Sequence, residues 1–194
     1  MRIVFSLFVV LAIVMSVPAP TLSAEPRQGS ELRVFPTVTG TALDGATVEL
    51  PTHVLGAPAV LLVAYQRKTQ GDVDRWLAFL DARHPEVARL ELPTITSAVW
   101  RPLAGWIDSG MRRGVPQRLW SQVVTLYADA RTVRDFVGDS GRPVTHVVVL
   151  DAEGRVVWAA NGGFSTSSAE TLTDVLDGLL PPAEKDSPGD GGAP

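Results

Sequence analysis

The chain has 194 residues, 45% of them hydrophobic and 20% charged, a balance that suits one packed domain and excludes collagen-like or grossly disordered chains. Lys and Arg number 17 against 21 Asp and Glu, so the formal charge of -4 leaves no global basic field for nucleic acid. Cysteine is absent, which excludes disulfides, thiol nucleophiles, thiolate zinc sites, iron–sulfur clusters and thiol redox chemistry together.

Arg2 precedes an apolar run from Ile3 to Val17, followed by a helix-breaking stretch, Pro18 to Ala24, that ends in small residues. The run falls short of the roughly 20 residues that cross a bilayer comfortably. Residues 1–24 therefore read as a secretory signal peptide cleaved before Glu25, which places the mature protein in the periplasm or outside the cell. The alternative is an uncleaved segment that anchors the chain and brings it into membrane contact. At the other end, residues 181–194 (PPAEKDSPGDGGAP) carry no large apolar side chain and read as a disordered tail. One domain, residues 25–180, lies between them.

Within the domain, Leu32 to Thr39 and Ala46 to Leu50 alternate as two short strands around the turn dipeptide Asp44-Gly45, which predicts a hairpin. Ala59 to Tyr65 is continuously apolar, as a strand buried on both faces requires. Asp72 to Arg75 opens a helix with acids in its first turn, and Val73, Trp76, Leu77 and Leu80 share one face of it. Val87 to Ile95 is strand-like, Leu103 to Met111 forms a short helix, Gln122 to Tyr127 a strand and Thr132 to Val137 a helical segment. Val144 to Leu150 and Arg155 to Ala160 form a second hairpin across Asp151 to Gly154. A last helix has Ser168 as N-cap and Leu172, Val175, Leu176 and Leu179 as its buried stripe. Strands alternating with helices, a hairpin at the start and a helix at the end describe a three-layer α/β domain with a central mixed sheet.

This order resembles the thioredoxin-like fold in its peroxiredoxin-type variant, over Phe35 to Pro51 (FPTVTGTALDGATVELP), Ala59 to Leu80 (AVLLVAYQRKTQGDVDRWLAFL), Val123 to Val137 (VVTLYADARTVRDFV) and Arg142 to Gly162 (RPVTHVVVLDAEGRVVWAANG). The resemblance places a reactive cysteine or Cys-x-x-Cys just after the central strand, at the next helix N-terminus, where the helix dipole lowers thiol pKa. Counted from Tyr65, those cysteines would fall near Gln70 and Val73, and neither is one. The family's proline before the late strand, often cis, is matched by Pro143. The chain is also similar to the cysteine-poor, peroxiredoxin-like domain of mitochondrial ATP synthase assembly factors, which implies binding or assembly rather than turnover.

Two surfaces are candidates for that binding. Tyr65, Gln66, Arg67, Thr69, Gln70 and Asp72, with Arg142 and Pro143 beside them, occupy the vacated active-site position. N–H groups at the start of the following helix favour an anion or a peptide carbonyl there. The other reading of this stretch is a solvated loop covering the helix end. Trp100, Arg101, Trp106, Arg112, Arg113 and Trp120 interleave aromatics with arginine, as partner surfaces do. The competing account is a helix that covers the sheet, buries Trp106 and Met111 and leaves its arginines in water.

Other chemistry finds little support. Gly138-Asp139-Ser140-Gly141-Arg142-Pro143 resembles the GDSGGP stretch of chymotrypsin-like proteases, but the helices contradict that all-β family, and the stretch reads as a turn. His53, His84 and His146 lack the spacing of metal ligands, and His146 reads as a partly buried strand residue. Asp129 and Asp151 read as turn or cap residues, and Asn161-Gly162-Gly163-Phe164 as a flexible connection rather than a phosphate loop. No cofactor and no metal are expected. The sequence thus points to an exported, redox-inactive thioredoxin-like domain that binds an envelope or membrane-associated protein. A non-thiol hydrolase or transferase using Ser140, His146 or the aspartates is the alternative.

Overall fold

The computed structural model describes residues 33–97, 102–138 and 142–180. The expected signal peptide and tail, together with Trp100, Arg101 and Ser140, lie outside the described residues. Strand β1 (Val38–Ala42) and strand β2 (Thr47–Leu50) form the first hairpin, with Val38 opposite Leu50 and Thr41 opposite Thr47. The Asp44-Gly45 turn works as the sequence implies, since Gly45 takes φ 98° and Asp44 Oδ1 accepts the Ala46 N–H at 2.9 Å. The first strand starts later than the expected 32–39. Pro36 has no N–H to give a ladder, and Val34 makes only an isolated bridge to Arg155.

The apolar run becomes β3 (Ala59–Ala64), central as predicted, with β4 (Ala88–Pro93) parallel on one side and β6 (His146–Leu150) antiparallel on the other. Strand β7 (Val156–Ala160) completes the order β4-β3-β6-β7. The hairpin belongs to a second sheet, β2-β1-β5, in which β5 is only Val124–Thr125. The expected strand 122–127 is shortened because the Val123 N–H closes a 3-10 segment, Gln117–Gln122, onto the Trp120 carbonyl. Isolated bridges from Val123 to Glu91 and from Leu126 to Thr94 then stitch the two sheets into one surface.

Helices α1 (Gln70–Arg83) and α4 (Thr166–Leu179) cover one face, where Val73, Trp76 and Leu80 meet Val60, Leu62, Val147, Val149, Leu172 and Leu176. Each such side chain contributes about 1.5–3 kcal/mol by leaving water. The hairpin and α3 (Ala130–Val137) cover the other face, packing Val38, Val48, Leu50 and Val133 on Leu61, Val63, Leu90, Leu92, Val148 and Leu150. Ser165, rather than Ser168, caps α4: its Oγ accepts the Ser168 N–H at 3.1 Å. Helix α2 (Ala104–Arg112) sits at the periphery, tied by the Tyr127 hydroxyl to Asp108 Oδ1 at 2.9 Å. Burial, then the hydrogen bond to Asp108 and its charge, push the Tyr127 phenol above its ordinary pKa. Among the described residues no helix is long and apolar enough to cross a membrane.

Candidate functional site

The stretch after β3 is a short connection with a solvated outer side. A 3-10 turn, Arg67–Thr69, leads directly into α1 at Gln70, and the Thr69 hydroxyl donates to the Gln66 carbonyl at 2.5 Å. Thr69 is 1% exposed and Asp72 8%, so the inward pair in this turn is Thr69 and Asp72. They stand three apart, one residue earlier than a count from Tyr65 places the pair. Gln66, Arg67 and Gln70 are exposed, and Val73 is core.

Asp72 is a structural latch. Its Oδ2 accepts the Thr145 N–H at 3.0 Å, and its Oδ1 accepts the Phe164 N–H at 2.9 Å and the Arg75 guanidinium at 2.8 Å. Burial alone would raise its pKa, but the N–H groups of Phe164 and Thr145, the Arg75 guanidinium and the Thr145 side chain outweigh it and hold the carboxyl below its ordinary value. Gly163, at φ 81°, backs the latch: a Cβ there would stand 3.2 Å from Asp72 Oδ2. Of the connection 161–164, Gly163 and Phe164 are packed, with the Phe164 ring edge-on to Trp76 at 5.0 Å, whereas Asn161 and Gly162 are exposed. The carboxylate that dipole logic would leave open to a ligand is consumed within the fold.

Pro143 and Arg142 are exposed, and the bond to Pro143 is not cis; the cis bond among the described residues is Leu50-Pro51. The residue directly before β6 is Thr145, and it faces Asp72 through its N–H. His146 is fully rather than partly buried, with its ring edge-on to Tyr65 at 5.5 Å. Asp129 reaches across to the Thr39 N–H at 2.8 Å, and Asp151 holds its turn through the N–H groups of Glu153 and Arg155 and the Arg155 guanidinium.

The second surface divides. Arg112 turns inward, with Nε donating to the Leu43 carbonyl and its guanidinium 5.7 Å over the Trp120 ring. Trp120 is half-buried, and its indole N–H donates to the Val115 carbonyl at 2.9 Å. Trp106 is 70% exposed, beside Leu103 at 44%, so α2 does not bury Trp106 against the sheet, and Met111 is only half-buried. Arg113 and Arg118 are exposed as well.

Sequence reasoning passed over one cluster. In β4 the leucines point to the hairpin side, which turns Arg89 and Glu91 toward α1. There they meet Gln70, Asp74, Leu77 and Asp81, spaced as one flank of a helix. Segment 114–123 borders a half-open cavity of about 180 Å³ beside them. Arg89 is paired with Asp81, and Gln70 Nε2 donates to Asp74 Oδ1 at 3.0 Å. Desolvation, with the Asp74 charge adding to it, pushes Glu91 up to about 7 against the smaller effect of Gln70. The signal lay in the alternation of ARLELP, which puts two charged residues on one face of a strand whose neighbour is the central one.

The chain matches no family model and no curated protein. Among solved structures it superposes on the thioredoxin domain of a thiol-disulfide oxidoreductase from Bacteroides vulgatus with a TM-score of 0.52 and 17% identity, covering 76% of this chain and 98% of that one. A thioredoxin-family thiol:disulfide interchange protein from Chlorobium tepidum gives 0.51 and 12%, covering 79% and 99%. BsSco, a member of the Sco family of cytochrome c oxidase assembly proteins, gives 0.53 and 12%, covering 76% and 93%. The chain thus has a thioredoxin-like fold, an α/β domain with a mixed sheet, and it is cysteine-free.

Proposed function

We propose that this chain is an exported, redox-inactive thioredoxin-like protein of the peroxiredoxin type that acts by binding, as an assembly or accessory factor for an envelope protein. The observation that carries this reading is the α1 N-terminus. One residue before Gln70 and Val73, the positions where the resemblance places thiols, the chain has a buried threonine, Thr69, and a carboxylate, Asp72, whose acceptors are engaged by Thr145, Phe164 and Arg75. A turn committed to the fold in this way leaves recognition to the surface. The side chains that suit recognition are the exposed Trp106 on peripheral α2, Leu103 at its N-cap and Arg113 at its C-cap. The resemblance to ATP synthase assembly factors that the sequence alone suggests, and the use of this fold by a protein described as a cytochrome c oxidase assembly protein, support the same reading.

A pull-down from envelope extract tests it, with Trp106→Ala/Arg113→Ala and Arg67→Ala/Gln70→Ala run beside the wild type and their folding checked by circular dichroism. The expected result is one envelope protein whose retention falls about tenfold or more in the Trp106 variant alone. Equal retention by all three proteins, or by none, overturns the proposal.

A further inference from the structure

We infer that the α2 surface takes a peptide segment in which a carboxylate stands beside a bulky apolar side chain, the carboxylate meeting Arg113 and the apolar group packing on Trp106. This rests on the binding role proposed above and names the chemistry of the partner. Leu103, Trp106, Gly110 and Arg113 stand at i, i+3, i+7 and i+10, so they follow one face of the helix from cap to cap. Leu103 is 44% and Trp106 70% exposed, and Gly110 and Arg113 are exposed as well. A Cβ at Gly110 would stand 3.8 Å from Arg113 Nη2. The guanidinium is therefore folded back along the helix toward Trp106, and the missing side chain at 110 leaves a notch between the two.

Charge decides what fits there. Asp108 is the only acid between Glu91 and Asp129, a stretch that carries four arginines. It is buried and its carboxylate accepts the Tyr127 hydroxyl, so it does not neutralise the outer face. Arg112 turns inward to the Leu43 carbonyl and the Trp120 ring, whereas Arg113 makes no ion pair among the described residues. In a chain whose acids outnumber its bases, α2 thus presents an unpaired guanidinium beside apolar surface.

A guanidinium matches a carboxylate through two parallel N–H···O bonds, and an adjacent exposed indole supplies the apolar contact that shields such a pair from water. A lipid surface is the poorer match. Peripheral helices hold to bilayers by clustered cations and a broad apolar stripe, and α2 with its caps offers Leu103, Trp106 and the guanidinium of Arg113.

Amide and indole NMR of the whole chain tests this, with acetyl-Ser-Glu-Leu-Phe-Ser-Gly-amide and its Gln and Lys analogues at the Glu position as probes. Saturable shifts are expected for the Trp106 indole N–H and the Gly110 and Arg113 amides with the Glu peptide, with affinity about tenfold weaker for both analogues. Arg113→Gln should abolish the preference for Glu over Gln, which a merely structural role for that side chain would not move. Gly110→Ala should weaken binding several-fold by filling the notch, although it favours the helix. Equal affinity for the Glu and Gln peptides in the wild type, or no saturable shift at these positions, overturns the inference. So does broadening of the same signals by phosphatidylglycerol vesicles without a response to peptide, which assigns the surface to lipid. The assembly role fails separately: if envelope extract yields no retained protein while the Glu peptide binds as expected, the chemistry of the surface stands and that role falls. A retained envelope protein that needs Trp106 and ignores Arg113→Gln leaves the role standing and overturns the carboxylate.

Discussion

Asp72, in the first turn of α1, and Glu91, on β4 facing that helix, have surroundings that drive their proton affinities in opposite directions. Asp72 is held low, so its contribution to stability is present above the ordinary carboxylate value near 3.8 and is lost as pH falls through its depressed pKa. Asp72→Asn keeps the shape and weakens three bonds, and it should cost about 1–3 kcal/mol by urea unfolding at neutral pH. Glu91 works the other way. The folded chain keeps a proton that the unfolded chain releases near 4.5, so this contribution is complete below that value and is lost as pH rises through about 7. The difference amounts to at most about 3 kcal/mol. Glu91→Gln should therefore be more stable than wild type at pH 8, with the gap closing toward pH 5, as denaturation midpoints at the two pH values will show. A gap that is the same at both would remove Glu91 as its source.

Helix α2 is a nine-residue element with glycines at 105 and 110 and little beneath it. A Cβ at Gly105 meets nothing within 4 Å, and one at Gly110 meets only Arg113 at 3.8 Å. Alanine at either position should stabilise the helix by about 0.5–1 kcal/mol, read as slower amide hydrogen exchange across Ala104–Arg112 with little change elsewhere. The sequence carries the existence of this helix but not its surroundings. Leu103, Trp106, Ile107 and Gly110 share one face by periodicity, and periodicity is silent on whether that face meets a sheet or water. The buried faces of α1 and α4 were legible because their stripes are long and pair with a continuously apolar strand. The cap at Ser165 was missed because four hydroxyl residues in a row offer equivalent choices, and only the backbone turn selects among them.

At the scale of the molecule, the N-terminal hairpin is joined to the main sheet through a few residues. A Cβ on Gly40 would come within 2.5 Å of Val124 Cγ1 and 2.9 Å of Leu126 Cδ2, so β1 and the segment of β5, which links the hairpin to the main sheet, approach where a side chain is missing. Gly40→Ala should cost about 1–3 kcal/mol and broaden amide signals along β1 and β5, whereas Gly71→Ala, with open space around it, should leave them sharp. This junction was hidden in the sequence, since segment 122–127 reads as an ordinary strand and its link to both sheets is a fact of topology. The cavity was hidden for the same reason: the cover over Glu91 comes from a segment more than twenty residues further along the chain. The Asp72 latch joins partners 73 and 92 residues away. Thr145 directly precedes β6, so the latch can close once β6 has paired with β3, and we expect it on the late side of the folding barrier. Loss of the latch should accordingly leave the refolding rate nearly unchanged and appear almost entirely as faster unfolding, which makes this carboxylate a determinant of how long the native state lasts once formed.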